Sequence, residues 1–550
     1  MVIPLRVATR YWETLRWLRP VQLYGRVWFR ASRPSIHPRP APPRRQPSGA
    51  WVQPCRRKPS LVGPRKFHLL NCLGDLDCNG WDNPNRDKLW RYNQHYFDDL
   101  NAHDAAARSR WHAALLADWC ARNPVGEGTA WEPYPTSLRI VNWIKWTLAG
   151  NSLEQPLIES LAVQARWLSQ RFEWHLLGNH LFANAKALVF AGLWFEGPEA
   201  QSWLNAGFQI LERQTEEQIL PDGGQFELSP MYHALALEDL LDLVNISTAF
   251  DGALTAAQRS LRERWRSLIP LMSRWLDALS HPDGEIAFFN DAAFAVAPPP
   301  TELLQYRKRV GIDNQRALEP VTWLPHSGYA RLSAPDAALI ADIARVGPDY
   351  LPGHAHADTL SFEFSVFGQR VLVNSGTSVY GTGSERQRQR STPAHNTVVI
   401  DDQNSSDVWS GFRVGRRGRP FAVTAGQDGE LLFAEGSHDG YKQLPGRPIH
   451  TRRWELSPTK LRVSDSVSTP RRAFARFHVH PDVALTQYNE SEGKLVLADG
   501  RRILWRARGG PVRFEQTTWH PEFGRSLANM CIVLPLADGC SVFELTWAAD

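Results

Sequence analysis

The sequence predicts an α+β multidomain protein, an incomplete (α/α) toroid followed by an antiparallel β-sandwich domain. Three observations carry this. At 550 residues the chain is too long for one ordinary core. From Trp90 to about Leu279, apolar residues recur every three or four positions in a succession of segments. After Ala297-Pro298-Pro299-Pro300 and a short polar stretch the period changes to two, and it stays so towards the C-terminus.

The elements follow in order. Residues 1–89 read as an N-terminal arm packing on the toroid, and its 34–66 part is rich in Pro and Arg, a composition that lies on a surface rather than forming a core. Residues 90–320 form the toroid domain. WRYNQHYFDDL, RSRWHAALLADWCARN, SLRIVNWIKWTLAG, LIESLAVQARWLSQRF, NHLFANAKALVFAGLWF, AQSWLNAGFQILERQTEEQI, MYHALALEDLLDLVNISTAF and LRERWRSLIPLMSRWLDALS are its helices, punctuated by turns such as NPVGEG, FEGPEA and LPDGGQ. Similar lengths, short links and no intervening strand imply packed helical hairpins. In residues 321–550, HSGYARLSA, LSFEFSVFG, KLRVSDSV, ARFHVHP and RILWRAR alternate between Gly, Asp and Asn turns. Many strands on short connections imply antiparallel layers.

Composition narrows the function. Hydrophobic content of 43% with 22% charged residues is that of a globular protein. A net charge of +5 favours anionic ligands without the excess of a nucleic-acid coat, so acidic glycans fit better than nucleic acid. Twenty-three Trp residues suit packing and also the indole faces that sugar sites use. The six cysteines are scattered, with no CxxC pair, and read as reduced thiols. The N-terminus repeats Arg and Trp and lacks the apolar run of a signal peptide, and no segment reaches about 18 apolar residues. The cytoplasm is the expected location, or the periplasm if an upstream start supplies a leader.

Three constellations point to chemistry. In His354-Ala-His356-Ala-Asp358 the ligand-type side chains recur at a spacing of two, so an extended segment would project all three from one face toward a metal ion or a reacting carbon. A histidine-rich loop with satisfied hydrogen bonds is the alternative. In Gly178-Asn179-His180-Leu-Phe-Ala-Asn184, His180 and Asn184 share a helix face with Asn179 beside them. In Asp222-Gly-Gly-Gln-Phe-Glu227-Leu-Ser229-Pro230-Met-Tyr232-His233, Ser229 and Pro230 make an N-cap and first turn, which places Tyr232 where a helix N-terminus favours a phenolate. A capping Asn and packed core residues are the plainer readings of these two. Downstream, His395 can complete a metal shell with His356 and an oxygen ligand, since a zinc-like ion asks for about four N/O ligands. Arg388 and Arg390 can hold a carboxylate or sulfate.

Together these stretches resemble the heparinase II/III family of polysaccharide lyases, related to oligoalginate lyases. WRYNQHYFDDL, GNHLFANAKAL, DGGQFELSPMYH, PGHAHADTLSFEFSVFGQRVLVNSGT and RSTPAHNTVVID occur in the family's order. The resemblance implies a toroid, a sandwich and an active site in the cleft between them. It also implies β-elimination at a uronic acid of a glycosaminoglycan or alginate-like polymer. Asn179 would then polarise the carboxylate, with His180 beside it as carboxylate partner or base. Tyr232 would be base or acid at the sugar, and His354 a neutraliser or second base. Glu227, Arg388 and Arg390 are assigned to substrate binding. A structural zinc would be held by His356, Asn374 and His395, although Asn374-Ser-Gly stands where the family usually has Asp-Ser-Gly, and Asp358 is read as a support for the ligands. The expected activity is a lyase on an acidic glycan of bacterial exopolysaccharide or surface-polysaccharide metabolism. The alternatives are a glycoside hydrolase using Glu227 and Asp291 across the scissile bond, and a glycan-binding or assembly protein without turnover.

Overall fold

The computed structural model describes residues 5–36, 39–314 and 316–548. Residues 1–4 and 37–38 of the expected arm, Gln315, and residues 549–550 of the expected sandwich lie outside it. Each periodic segment of the toroid region is a helix: Lys88–Tyr96, Ser109–Arg122, Pro133–Leu148, Gln155–Ser169, Gly178–Trp194, Pro198–Gln218, Pro230–Ala249 and Ala256–Ala278. Local chemistry starts them. Pro133, Pro198 and Pro230 stand in first turns, and Thr255 with Gln258 forms a reciprocal capping box. In Gly178–Trp194 every residue from Leu181 onward is buried, so this helix is the one around which its neighbours pack.

The Pro/Arg-rich segment runs along the ends of these helices. Arg45 donates from its backbone to Trp194 and from its guanidinium to the Leu193 and Phe195 carbonyls, while Ser48 and Gly49 N–H groups both donate to Ala249. Carbonyls that a helix C-terminus leaves without a partner are thereby satisfied. The arm also holds structure that the sequence reading did not name. Two short helices, α1 (Leu5–Leu15) and α2 (Pro20–Ala31), follow one another, and a small antiparallel sheet joins Leu61–Gly63, Lys66–Leu69 and Cys72–Asp75.

The C-terminal region is a sandwich of two antiparallel sheets. One runs in the order Arg513–Trp519, Leu527–Pro535, Ala473–Val479, Gln369–Leu372, Phe362–Val366, Ala337–Asp342, Tyr329–Ser333, Val321–Leu324, with Val398–Ile400 also paired to Ala473–Val479. The other runs Pro420–Asp428, Leu431–His438, His450–Ser457, Lys460–Val467, Cys540–Thr546, Arg502–Arg508, Glu492–Val496, Ala484–Asn489. Between them Phe362, Phe364, Trp454, Phe477 and Phe543 form the core, with Phe477 stacked on Phe543 at 4.1 Å.

Strand Phe362–Val366 is buried on both faces. Its even positions enter the sandwich core, while Glu363 and Ser365 point the other way and hydrogen-bond His281, at 2.9 and 2.7 Å. Trp275, Leu279 and Phe289 pack with Tyr329 and Ile340 on that same side. The helical region is therefore seated on the outer face of the first sheet.

Candidate active site

The segment 353–361 is not a strand; the regular strand begins only at Phe362. Asn290 explains the irregular course. In a left-handed conformation, φ 57°, it donates from its side chain to Leu228 O at 2.8 Å, and its side-chain oxygen accepts from His356 N–H at 3.0 Å. Its own N–H donates to an Asp358 carboxylate oxygen at 3.1 Å. One residue thus clips the DGGQFELSP loop to the HAHAD loop. Ser229 adds a second tie, accepting from Tyr232 N–H at 3.2 Å as the helix cap and donating to Asp291 O at 2.5 Å.

Asp291 is the hub. It is fully buried, and its carboxylate accepts from His354 Nδ1 and His356 Nε2, each at 2.9 Å, from Arg386 Nη2 at 2.7 Å and from Arg386 Nη1. Thr377 Oγ1 donates at 3.3 Å. Burial opposes charge on Asp291, but Arg386 and the two histidines outweigh it and hold the carboxyl well below the ordinary range. A carboxylate only accepts, so His354 donates from Nδ1, and its Nε2 faces the Glu227 side of the site. Tyr232 lies against that ring, centroids 3.9 Å apart, and its hydroxyl shares a 2.9 Å hydrogen bond with the hydroxyl of Tyr380.

Glu227 sits between the two ends of the site. Its carboxylate is 3.7 Å from His354 Nε2, and burial raises its pKa while His354, Gln225 and His180 pull it down. His180, half-buried in the first turn of helix Gly178–Trp194, stands 3.1 Å from Glu173, which is itself fixed by Asn184. Burial alone would favour the neutral ring, but Glu173, Glu227 and Glu132 hold the His180 imidazolium above its usual pKa. Asn179 is half-buried beside it and its side chain has no hydrogen-bond partner among the described residues. Gly178 is required here at φ 53°, because a Cβ would meet Leu351 Cδ2 at 2.5 Å. The structure therefore gathers Asn179, His180, Glu227, Tyr232 and His354 around one cleft.

Several expectations change. Tyr232 is not poised as a phenolate: burial, then Tyr380 and Asp291, push its pKa well above the ordinary value, and this outweighs the helix terminus. Arg390 is not a substrate ligand. It is fully buried and donates to the carbonyls of Ala355, Ser410, Gly411 and Arg413, so it braces the HAHAD loop from behind. Arg388, more exposed, is already engaged by Glu385 and Thr518. The reason is phase: Ser384–Arg390 is a helix, so Arg386 and Arg390 share its inner face and Arg388 lies off it. Arg386 and Tyr380 were both missed; the four-residue spacing of Arg386 and Arg390 was the available signal. Asp291, weighed only as a hydrolase carboxylate, is the anchor of the site.

Asn374 is also reassigned. Its side-chain nitrogen donates to Phe288 O at 3.0 Å and its oxygen accepts from Asn396 N–H at 3.0 Å, which makes it a tie between backbones. Asp358 takes the place expected of it: the ligand atoms of His356, Asp358 and His395 lie within 4.8 Å of one another, all buried. Their chemistry fits a cation. His356 Nε2 donates to Asp291, and His395 Nδ1 donates to Ser391 O at 2.8 Å, which leaves the lone pairs of His356 Nδ1 and His395 Nε2 facing each other at 3.1 Å beside a carboxylate. Burial lowers both ring pKa values, that of His395 to about 4, so neither nitrogen is expected to hold a proton at neutral pH. Such convergence of donors is stabilised by a positive ion.

The Heparinase II/III N-terminus domain matches residues 75–298, and the Heparinase II/III-like C-terminal domain matches residues 316–541. The chain belongs to the heparinase II/III family. Among curated members it is 25% identical over 325 residues to the heparin-sulfate lyase of Pedobacter heparinus, across 52% of this chain and 47% of that protein. The chain spans less than half the length of the curated relatives it matches. A crystal structure of heparinase III superposes with a TM-score of 0.67 at 16% identity, over 87% of this chain and 81% of that one. The chondroitin AC lyase of Streptomyces coelicolor, solved with chondroitin sulphate, gives 0.50 at 12% identity over 89% and 77%. At these identities the heparinase II/III fold is what the structures share.

Proposed function

We propose that the protein is a polysaccharide lyase that cleaves a uronic-acid-containing acidic glycan by β-elimination. The observation that carries this is Tyr232, a neutral phenol lying on His354, whose Nδ1 is bound to Asp291 so that Nε2 is the ring nitrogen left to face the substrate. In this reading His354 Nε2 takes the C5 proton, the C4–O bond breaks, and the Tyr232 hydroxyl gives its proton to the departing oxygen. Asn179 and the His180 imidazolium meet the uronate carboxylate, stabilising the negative charge that builds next to C5. The curated relatives are named heparin-sulfate lyases, which supports a glycosaminoglycan-like polymer; an alginate-like polymer is the second substrate proposed, and the proposed source is a bacterial exopolysaccharide or surface polysaccharide. The hydrolase alternative loses its second carboxylate, because Asp291 is enclosed by Arg386, His354 and His356 and does not reach a bond in the cleft.

Incubation with a panel of uronate-bearing polysaccharides tests the reaction. Elimination leaves a conjugated 4,5-unsaturated uronate that absorbs in the ultraviolet. New reducing ends without that absorbance would make the protein a hydrolase, and no products with retained binding would make it a glycan-binding protein.

The charge on His180 should show in the pH profile. Its folded pKa is raised, so the imidazolium is present at low pH and is lost as pH rises through a value above the ordinary ~6.5. KM for a uronate substrate should rise along that alkaline limb, and His180→Gln should flatten the limb. An unchanged limb in the variant would remove His180 from carboxylate binding.

The cation is proposed to be zinc, held by His356, Asp358 and His395. Bound there, it would neutralise Asp358 and lock the HAHAD loop to the PAHN segment as a structural ion. Purified protein is expected to carry about one equivalent, and dialysis against a chelator should lower Tm. Metal-free protein with unchanged Tm would dismiss the ion.

A further inference from the structure

Helices α1 and α2 both turn apolar side chains outward. Tyr11, Trp12 and Leu15 are exposed on α1, and Leu23, Tyr24, Val27 and Trp28 on α2, with Trp12 at 65%, Val27 at 69% and Trp28 at 70%. On α2 these positions are one helical stripe, 23 with 27 and 24 with 28. The stripe is not the by-product of a loose segment, because the opposite face is anchored. Gly25 backs onto His175, the Phe29 and His175 rings are 4.4 Å apart, and Gln22 Nε2 donates to Tyr350 O at 3.1 Å. On α1, Arg10 pairs with Asp407 at 2.8 Å and the Tyr11 ring meets Trp409 edge-on at 5.1 Å.

Charge is concentrated in the same place. Residues 5–33 contain seven arginines and one glutamate, a surplus of six, which exceeds the +5 of the whole chain and leaves the rest of the sequence slightly acidic. Arg10, Arg16 and Arg19 pair with carboxylates, whereas Arg26, Arg30 and Arg33 are exposed with no carboxylate partner among the described residues. Exposed Trp and Tyr, aliphatic side chains in register with them and unneutralised arginines are the composition of a helix that lies in a bilayer interface.

We propose that helices α1 and α2 seat the protein on a membrane surface rich in anionic lipid, with Trp12, Leu23, Tyr24, Val27 and Trp28 in the headgroup boundary and Arg26, Arg30 and Arg33 on lipid phosphates. Insertion is shallow: helices of 11 and 12 residues are too short to span a bilayer, and no helix of the described residues is long and apolar enough to do so. A glycan would use the aromatic rings but has nothing for Leu15, Leu23 and Val27 to bury. A second copy across a twofold axis would bring the same unpaired arginines face to face. Arg19, between the two helices, lies over the Tyr350 ring and Tyr11 of α1 meets Trp409, and the loop after Trp409 carries Phe412 to 5.9 Å from His354, so docking would hold the site close to the membrane surface.

Co-sedimentation of the full chain with vesicles of phosphatidylcholine, with and without phosphatidylglycerol, tests this. Binding is expected with phosphatidylglycerol and should weaken as salt rises. The double variant Val27→Glu/Trp28→Glu should bind at least tenfold more weakly, and Arg26→Glu/Arg30→Glu should lose the preference for anionic lipid. Both variants change exposed side chains, and near-ultraviolet circular dichroism checks that they fold. Absence of vesicle binding by the wild type, or undiminished binding by both variants, overturns the proposal. So does a wild-type dimer that Trp28→Glu splits, or retention of an acidic polysaccharide through these residues while vesicles are ignored.

Discussion

Asp291→Asn should be the most damaging single substitution in the cleft, lowering kcat by about 10⁴-fold and stability by about 3–5 kcal/mol. The side chain keeps its size, so the loss is electronic. Asparagine can donate as well as accept, and His354 is then free to carry its proton on Nε2, the atom turned toward the substrate. Arg386, buried against Asp291, would be left as a cation without its anion. Urea unfolding followed alongside the ultraviolet assay separates the two losses. A variant with near-normal activity would show that the tautomer of His354 does not matter to the reaction.

Tyr232→Phe should cut kcat by about 10³-fold while changing stability by less than about 1.5 kcal/mol. Among the described residues its hydroxyl bonds only to that of Tyr380, and its ring contacts to His354 survive in phenylalanine. Folding is therefore preserved and the proton donor is removed. KM should stay within a few-fold, because the carboxylate is held from the Asn179 side. If the rate is undiminished, another group protonates the leaving oxygen, and Tyr380, 2.9 Å from Tyr232, is the first to examine.

Much of this arrangement was legible in the chain. Helices announced themselves because each buries one or more faces and so repeats its apolar residues; Gly178–Trp194 and Pro230–Ala249 are unmistakable on that basis. Strands at sheet edges were harder. Pro420–Asp428 and Ala484–Asn489 end their sheet and expose most of both faces, so nothing forces alternation on them. Within the site, Asn179, His180, Tyr232 and His354 were readable as members of family motifs. Asp291 was not, since its role arises from partners 63, 65 and 95 positions away that no spacing rule connects. Asp358 was set aside as a ligand on the supposition of a regular strand, and Asn290 is what breaks that strand.

Asp291 belongs to the segment between helices Ala256–Ala278 and Pro300–Arg309 of the toroid region, whereas Arg386, His354 and His356 come from the sandwich region. The charges that organise the reaction are thus also rivets between the two halves of the molecule. Parting the halves would break the Asp291 contacts that set the His354 geometry. For the same reason neither half should survive as a separate piece, and heat should melt both together in one transition.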